Sequence, residues 1–302
     1  MNTSGYLDWP FRPEQRSDEQ GRQWWLDCYV EGAADRQLRG LYHWGLLAGP
    51  PGSGKSVALT VWAAREANNA LVLRYPPERW PGARTAWHPH DPSHLTQLLA
   101  VAAETIAETL KAQPALAAGL DVFPREFLRA LLERQGGARR YQRFVLGLPA
   151  ELREGYQSVP TNTNFFGEGD TLIGIQGLIQ ELTLLVEALG HRRIVYVVDP
   201  EPPLDASQMD QVGDLFGWLD LTDSPAFVVV AAVRDEALRA SDVLVRARAR
   251  VSLIYTDWTA AECHEVATAH LRQALPDAPA DLSLSAVMNA DCQALADRLV
   301  VE

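Results

Sequence analysis

The chain is 302 residues long, 47% hydrophobic and 22% charged, with a formal net charge of −12. That composition is ordinary for a globular protein with a core, and the length suits one large domain or a domain with a smaller companion. The acidic balance argues against a protein whose main task is gripping nucleic acid through phosphate contacts, and no apolar run reaches the roughly 18 residues of a membrane-spanning helix.

The first 40 residues are polar. Met1 to Tyr6 holds no basic segment leading into an apolar one, so no signal peptide is read and a cytoplasmic location is expected. After Pro10 and Pro13 a helix is predicted over about 18–31, with Trp25 and Tyr29 spaced to pack inward on one face. Trp44 to Ala48 is a short apolar run of the kind that makes a buried strand. Val57 to Ala67, rich in Ala and free of Gly and Pro, reads as helix.

Between that strand and helix stands Gly49-Pro50-Pro51-Gly52-Ser53-Gly54-Lys55-Ser56, a complete G-x-x-x-x-G-K-[ST] phosphate-binding loop. Its glycines let the backbone wrap so that several N–H groups point inward at phosphate oxygens. Lys55 brings a mobile positive charge for the β- and γ-phosphates, and Ser56 a hydroxyl for Mg²⁺. Val57 continues the helix whose positive end faces the anion. A chance glycine-rich turn would not need the strand before it and the helix after it.

Ala70 to Leu73 reads as a second strand, and residues 76–92, rich in Pro and Trp, as a loop. One long helix is predicted from Pro92 to Leu120, then helices over 123–134 and 140–148. The basic stretch Arg134 to Arg143 reads as a solvated helix face, with a local anion patch as the other reading. Residues 155–170 look like loop. Thr171 to Leu189 is a strong amphipathic helix stopping at Gly190.

Ile194 to Val198 is the strongest strand in the chain, and Asp199 follows it. An apolar strand ending in Asp, about 140 residues after a P-loop, is the Walker B pattern; the strand is expected beside the P-loop strand, with its carboxylate in the Mg²⁺ shell. Alone the pattern is weak, since many buried strands end in Asp. Hydrolysis also needs a group that orients or deprotonates water. Glu201, in the stiff run Asp199-Pro200-Glu201-Pro202-Pro203, is the first candidate and Asp205 the second; an exposed loop acid is the alternative.

A helix is predicted over 205–219, then a strand over 226–233 ending at Arg234, which either senses the γ-phosphate or is an ordinary strand-end arginine. Arg246, Arg248 and Arg250 precede a fifth strand over 249–255; one of them reaching a neighbour's nucleotide as an arginine finger is weighed against a solvated edge. From Thr259 the chain is helical, with a break at Pro276 to Pro279. Five apolar strands alternating with helices define a parallel sheet covered on both faces. Cys28, Cys263 and Cys292 suggest neither a disulfide framework nor a metal knuckle, and His264-Glu265 with His270 misses the zinc-protease spacing.

With these residues in order the chain resembles the AAA+/STAND group of P-loop ATPases, in the additional-strand, catalytic-glutamate division. Trp9 to Pro13 is similar to the N-terminal segment that lies near adenine in that group, and Thr259 to Leu275, with Ala260-Ala261-Glu262 and Arg272, to the start of its helical lid. The resemblance spans residues 8–298. It implies a three-layer core with strand order 5-1-4-3-2 over residues 1–257, carrying a helical insertion at about 92–150, and a lid over 258–302, short enough to be truncated. It also implies ATP–Mg²⁺ binding and a switch that meets a protein partner or a second copy.

Two departures stand out. The catalytic glutamate of the group follows the Walker B Asp directly, where this chain has Pro200. The chain also ends soon after the lid begins. An ATPase switch is therefore weighed against a non-hydrolysing nucleotide-binding adaptor and a small-molecule kinase. A GTPase is disfavoured by the lack of an Asn-Lys-x-Asp sequence, and DNA loading by the acidic balance.

Overall fold

The computed structural model describes residues 26–80, 93–161, 172–200, 204, 206–222, 226–242 and 251–274. The segment 9–13, the first part of the helix expected over 18–31, Glu201, Asp205, the three arginines at 246–250, the break at 276–279 and Cys292 lie outside the described residues. Two compact units divide the chain, Leu38–Tyr255 and a second joining residues 1–37 to 256–302.

The larger unit is built on a five-stranded, all-parallel sheet. In chain order its strands are β1 (Trp44–Gly49), β2 (Ala70–Arg74), β3 (Arg193–Val198), β4 (Phe227–Arg234) and β5 (Val251–Tyr255). They lie side by side as β2-β3-β4-β1-β5, which is the expected order read from the other edge. One expectation fails: β3 is not beside β1, because β4 lies between them. Parallel strands are joined by long crossovers, so a strand later in the chain, here β4, can be inserted between two earlier ones.

The helices are α1 (Ala33–Arg39), within which the unit boundary falls, α2 (Lys55–Glu66), α3 (Ser93–Ala112), α4 (Pro114–Gly119), α5 (Val122–Gly136), α6 (Ala138–Gly147), α7 (Ala150–Gln157), α8 (Leu172–Ala188), α9 (Ala206–Thr222), α10 (Asp235–Arg239) and α11 (Ala260–Ala274). From β1 to β2 the chain moves one way along the sheet, and from β2 through β3 and β4 it moves back. Right-handed crossovers therefore put α2 on one face and the helices after β2 on the other.

The side chains follow. Alternate residues Trp44, Leu46 and Ala48 of β1, Leu71 and Leu73 of β2, Ile194, Tyr196 and Val198 of β3, and Phe227, Val229 and Ala231 of β4 join one buried cluster with α3, α5, α6, α8 and α9. The residues between them (Leu47, Val195, Val228, Val230) are equally buried, on the face of α2 with its Ala58, Leu59, Val61 and Trp62. Burial on both faces explains why the strands read as continuous apolar runs rather than alternating ones.

Helices α3 to α8 fill the crossover from β2 to β3, with α5 packed on α3, α6 and α8. The single helix expected over 92–120 is two, α3 and α4, broken at Gln113 (φ −126°, ψ 77°) because Pro114 denies its predecessor helical backbone. Helix α7 lies partly in the stretch expected to be loop from residue 155. Arg140, in the basic stretch, pairs with Glu104 of α3, which also takes Arg79.

In the smaller unit, buried Asp35 accepts hydrogen bonds from the Tyr29 hydroxyl and the Gly32 N–H, both at 2.7 Å. Helix α11 opens with a reciprocal capping box. The Thr259 hydroxyl accepts from the Glu262 N–H at 3.2 Å, and the Glu262 carboxylate accepts from the Thr259 N–H at 2.8 Å.

Candidate functional site

In a parallel sheet every strand delivers its chain end to the same edge, and ligands of open α/β sheets collect outside the carboxyl ends. Here that edge gathers Gly49 from β1, Asp199 from the end of β3 and Arg234 from β4. Register places Gly49 directly opposite Arg234.

The loop after β1 turns back on itself, with the Ser53 N–H donating to the Pro50 carbonyl at 3.2 Å. Gly52 (φ 80°) and Gly54 (φ 85°, ψ 11°) both occupy the left-handed region, which explains glycine at these two positions. Pro50, Pro51 and Gly52 are exposed, and Ser53 to Val57 are half-buried. Helix α2 begins at Lys55 and its first internal bond runs from the Ala58 N–H to the Gly54 carbonyl at 2.9 Å. The N–H groups of Lys55, Ser56 and Val57 therefore lead the helix without partners inside it. Gly54 has no side chain to cap them, so the positive end of α2 is left open to an anion.

Lys55 lies back over the loop. Its Nζ donates to the Gly49 and Pro50 carbonyls, both at 2.8 Å, and reaches Ser53 Oγ at 3.4 Å. Burial pushes its pKa below the ordinary lysine value; Asp235 opposes that most, Arg234 reinforces it, and Asp199 and Glu236 oppose it further. Ser56 Oγ donates to Asp199 Oδ1 at 3.0 Å. The structure thus brings Gly49 to Ser56, Asp199 and Arg234 together, while Glu201 lies outside the described residues.

Sequence reasoning passes over two acids here. Asp235 and Glu236 open α10 directly after β4, close enough for their charges to act on Lys55. Asp235 Oδ1 is buried with no hydrogen-bond partner among the described residues. The legible signal was an acidic pair immediately after a strand-ending arginine.

Away from this edge, a cleft of about 470 Å³ on the helical block is lined by Lys111, Arg139, Arg140 and Arg143 with Glu104 and Glu108. Among the described residues no group of three or more His, Cys, Asp and Glu side chains is placed to hold a metal, and no helix is long and apolar enough to cross a membrane. No family model matches the chain, and no curated protein matches its sequence.

Proposed function

We propose that the protein is an ATP–Mg²⁺-binding P-loop ATPase of the AAA+/STAND-like kind, a cytoplasmic switch whose nucleotide state governs its meeting with a protein partner or a second copy of itself. The observation that carries this reading is the 3.0 Å hydrogen bond from Ser56 to Asp199 at the foot of the Gly49–Ser56 loop. It sets a hydroxyl and a carboxylate from distant parts of the chain against each other where the loop would hold phosphates.

That pair suits a hard divalent cation, which takes oxygen ligands and keeps positions for phosphate oxygens and water. Ser56 and Asp199 would hold Mg²⁺, directly or through water, and the ion would neutralise charge on the β- and γ-phosphate oxygens. The residues of the chain do the rest. The loop N–H groups cradle the phosphates, and Lys55 swings from the Gly49 and Pro50 carbonyls to the β- and γ-phosphates. Arg234, opposite Gly49, answers to the γ-phosphate, and Glu201 is the first candidate for orienting the attacking water.

Pro200, directly after Asp199, favours one other reading, a nucleotide-binding adaptor that does not hydrolyse. Both are tested by measuring ATP binding and phosphate release for wild type, Lys55→Ala and Glu201→Gln, with oligomeric state followed in parallel. ATP binding no tighter to wild type than to Lys55→Ala would overturn the central claim. Turnover that vanishes with Lys55→Ala would exclude the adaptor.

A further inference from the structure

We propose that the cleft on the helical block is a second binding site, for a phosphate-monoester anion held by Arg139 and Arg143 with Lys111 and Arg140 beside them. It shares no residue with the Gly49–Ser56 loop.

The cleft follows from how three helices pack. Helix α5 packs against both α3 and α6, whereas α3 and α6 touch each other only lightly. The cleft is lined by all three and holds about 470 Å³, a volume in the range of small-molecule pockets. Glu104, Glu108 and Lys111 recur at helical spacing on one face of α3, and Arg139, Arg140 and Arg143 come from α6. Two glycines leave room for cationic stems. A Cβ at Gly147 would lie 2.9 Å from Lys111 Cε, and one at Gly136 would lie 3.0 Å from Arg140 Cδ.

Charge is the second observation. The lining sets four cations against two carboxylates, in a chain whose net charge is −12. Lys111 takes Glu108 at 2.7 Å, and Arg140 shares Glu104 with Arg79, which lies outside the lining. Arg139 and Arg143 are exposed and have no ion-pair or hydrogen-bond partner among the described residues. They stand one turn apart on α6, where like charges repel. Arg139 also lies in the first turn of the helix, at its positive end, with no acidic residue there to offset it. Helix stability therefore works against this placement, and an anion between the two arginines turns both repulsions into attraction.

The chemistry of the cations selects the ligand. The surplus of two positive charges matches a phosphate monoester, which carries about 1.5 to 2 negative charges at neutral pH. Guanidinium forks bond phosphate oxygens in pairs, and two forks a turn apart offer more donors than the two oxygens of a single carboxylate can take. The four cations are gathered in one cleft rather than spread along a stripe, so the site addresses one phosphate group and not a nucleic-acid backbone.

Binding is measured by calorimetric titration at low salt on the full-length protein, in wild type and in a Lys55→Ala background that weakens the phosphate-binding loop. The probes are ribose 5-phosphate, a short phosphoserine peptide, the same peptide with glutamate in place of phosphoserine, and ribose. Both phosphorylated probes are expected to bind in either background, and ribose and the glutamate peptide to bind far more weakly. Arg139→Gln combined with Arg143→Gln is expected to weaken the phosphorylated probes at least about tenfold with no fall in the melting temperature of the ligand-free protein. Arg139→Lys combined with Arg143→Lys keeps the charge and is expected to lose less. Arg192→Gln, at an exposed arginine outside the lining, is expected to change nothing. Tighter binding of the peptide assigns the phosphate to a modified partner protein, and tighter binding of the sugar phosphate assigns it to a metabolite.

Undiminished binding in the double glutamine variant overturns the proposal, as does failure of both phosphorylated probes to bind. A glutamate peptide bound as tightly as its phosphoserine counterpart overturns it in favour of an acidic-peptide site. A lower melting temperature of the ligand-free glutamine variant overturns it too, because the two arginines would then serve the fold. Wild type that binds ATP no better than Lys55→Ala removes the ATPase reading and leaves this site standing.

Discussion

Ser56 and Asp199 meet at 3.0 Å although 143 residues separate them in the chain and β4 separates their strands in the sheet. The first turn of α2 reaches across the end of β4 to the end of β3. The bond joins two groups that a magnesium–nucleotide complex would use, so removing either should abolish metal dependence and leave the fold standing. Wild type is expected to bind ATP at least about tenfold more tightly with Mg²⁺ than with a chelator, and Ser56→Ala or Asp199→Asn to show no such difference. The lost hydrogen bond itself should cost only about 0.5–1.5 kcal/mol. ATP titrations with and without chelator decide it; a Ser56→Ala protein with full metal dependence would remove Ser56 from the metal shell.

Lys55 is held by backbone carbonyls in a place where burial works against its charge. Its folded pKa is lowered, so between that value and the ordinary one the unfolded chain holds more protons and stability rises with pH. A charged Lys55 is thus a cost to the fold, kept in spite of it. Lys55→Met is expected to weaken ATP binding at least about 100-fold while moving the melting temperature by no more than about 2 °C. A large fall in melting temperature would mean that the lysine serves the loop's own structure.

How much of this was legible follows from which forces act locally. Strands β3 and β4, each buried on both faces, announce themselves as unbroken apolar runs, and the Gly49–Ser56 loop is fixed by residue types at set spacings. Helix α7, at eight residues and containing Gly155, has too short a period to read, and its place is set by tertiary contacts such as Tyr156, buried with its hydroxyl on the Ala117 carbonyl at 2.9 Å. The break at Gln113 was written in Pro114 and outweighed by the apolar period around it. The Ser56–Asp199 contact arises from sheet order and register, which no local window contains.

Tyr196 ties the helical block to the sheet. It sits fully buried on β3, stacks on Phe227 at 5.7 Å between ring centroids, and donates its hydroxyl to the Leu98 carbonyl of α3 at 2.9 Å. Tyr196→Phe keeps the ring packing and removes only that hydrogen bond. The expected cost is about 1 kcal/mol, or a fall of about 2–4 °C in melting temperature, with ATP binding unchanged. Thermal and urea unfolding measure it; no change would mean that the hydroxyl has a solvent partner in the unfolded chain as good as Leu98.

Glu104 of α3 bonds both Arg79, at 2.9 Å, and Arg140 of α6. Burial alone would push its pKa up, but the hydrogen bonds and charges of Arg140 and Arg79 outweigh that, and the carboxyl titrates below its ordinary value of 4.5. The folded state therefore holds fewer protons than the unfolded one between the two values. The stabilisation is complete above the ordinary value and is lost as pH falls through the folded one. Arg79 is 47% exposed and Arg140 34%, so solvent screens the pair and each contact is worth little. Glu104→Gln is expected to cost about 0.5–1 kcal/mol at neutral pH and close to nothing at a pH well below the carboxyl value. Urea unfolding of wild type and variant at the two pH values tests this. An equal cost at both would show that Glu104 acts through packing, and that the bridge from Arg79 to Arg140 adds no charge-dependent stability to the helical block.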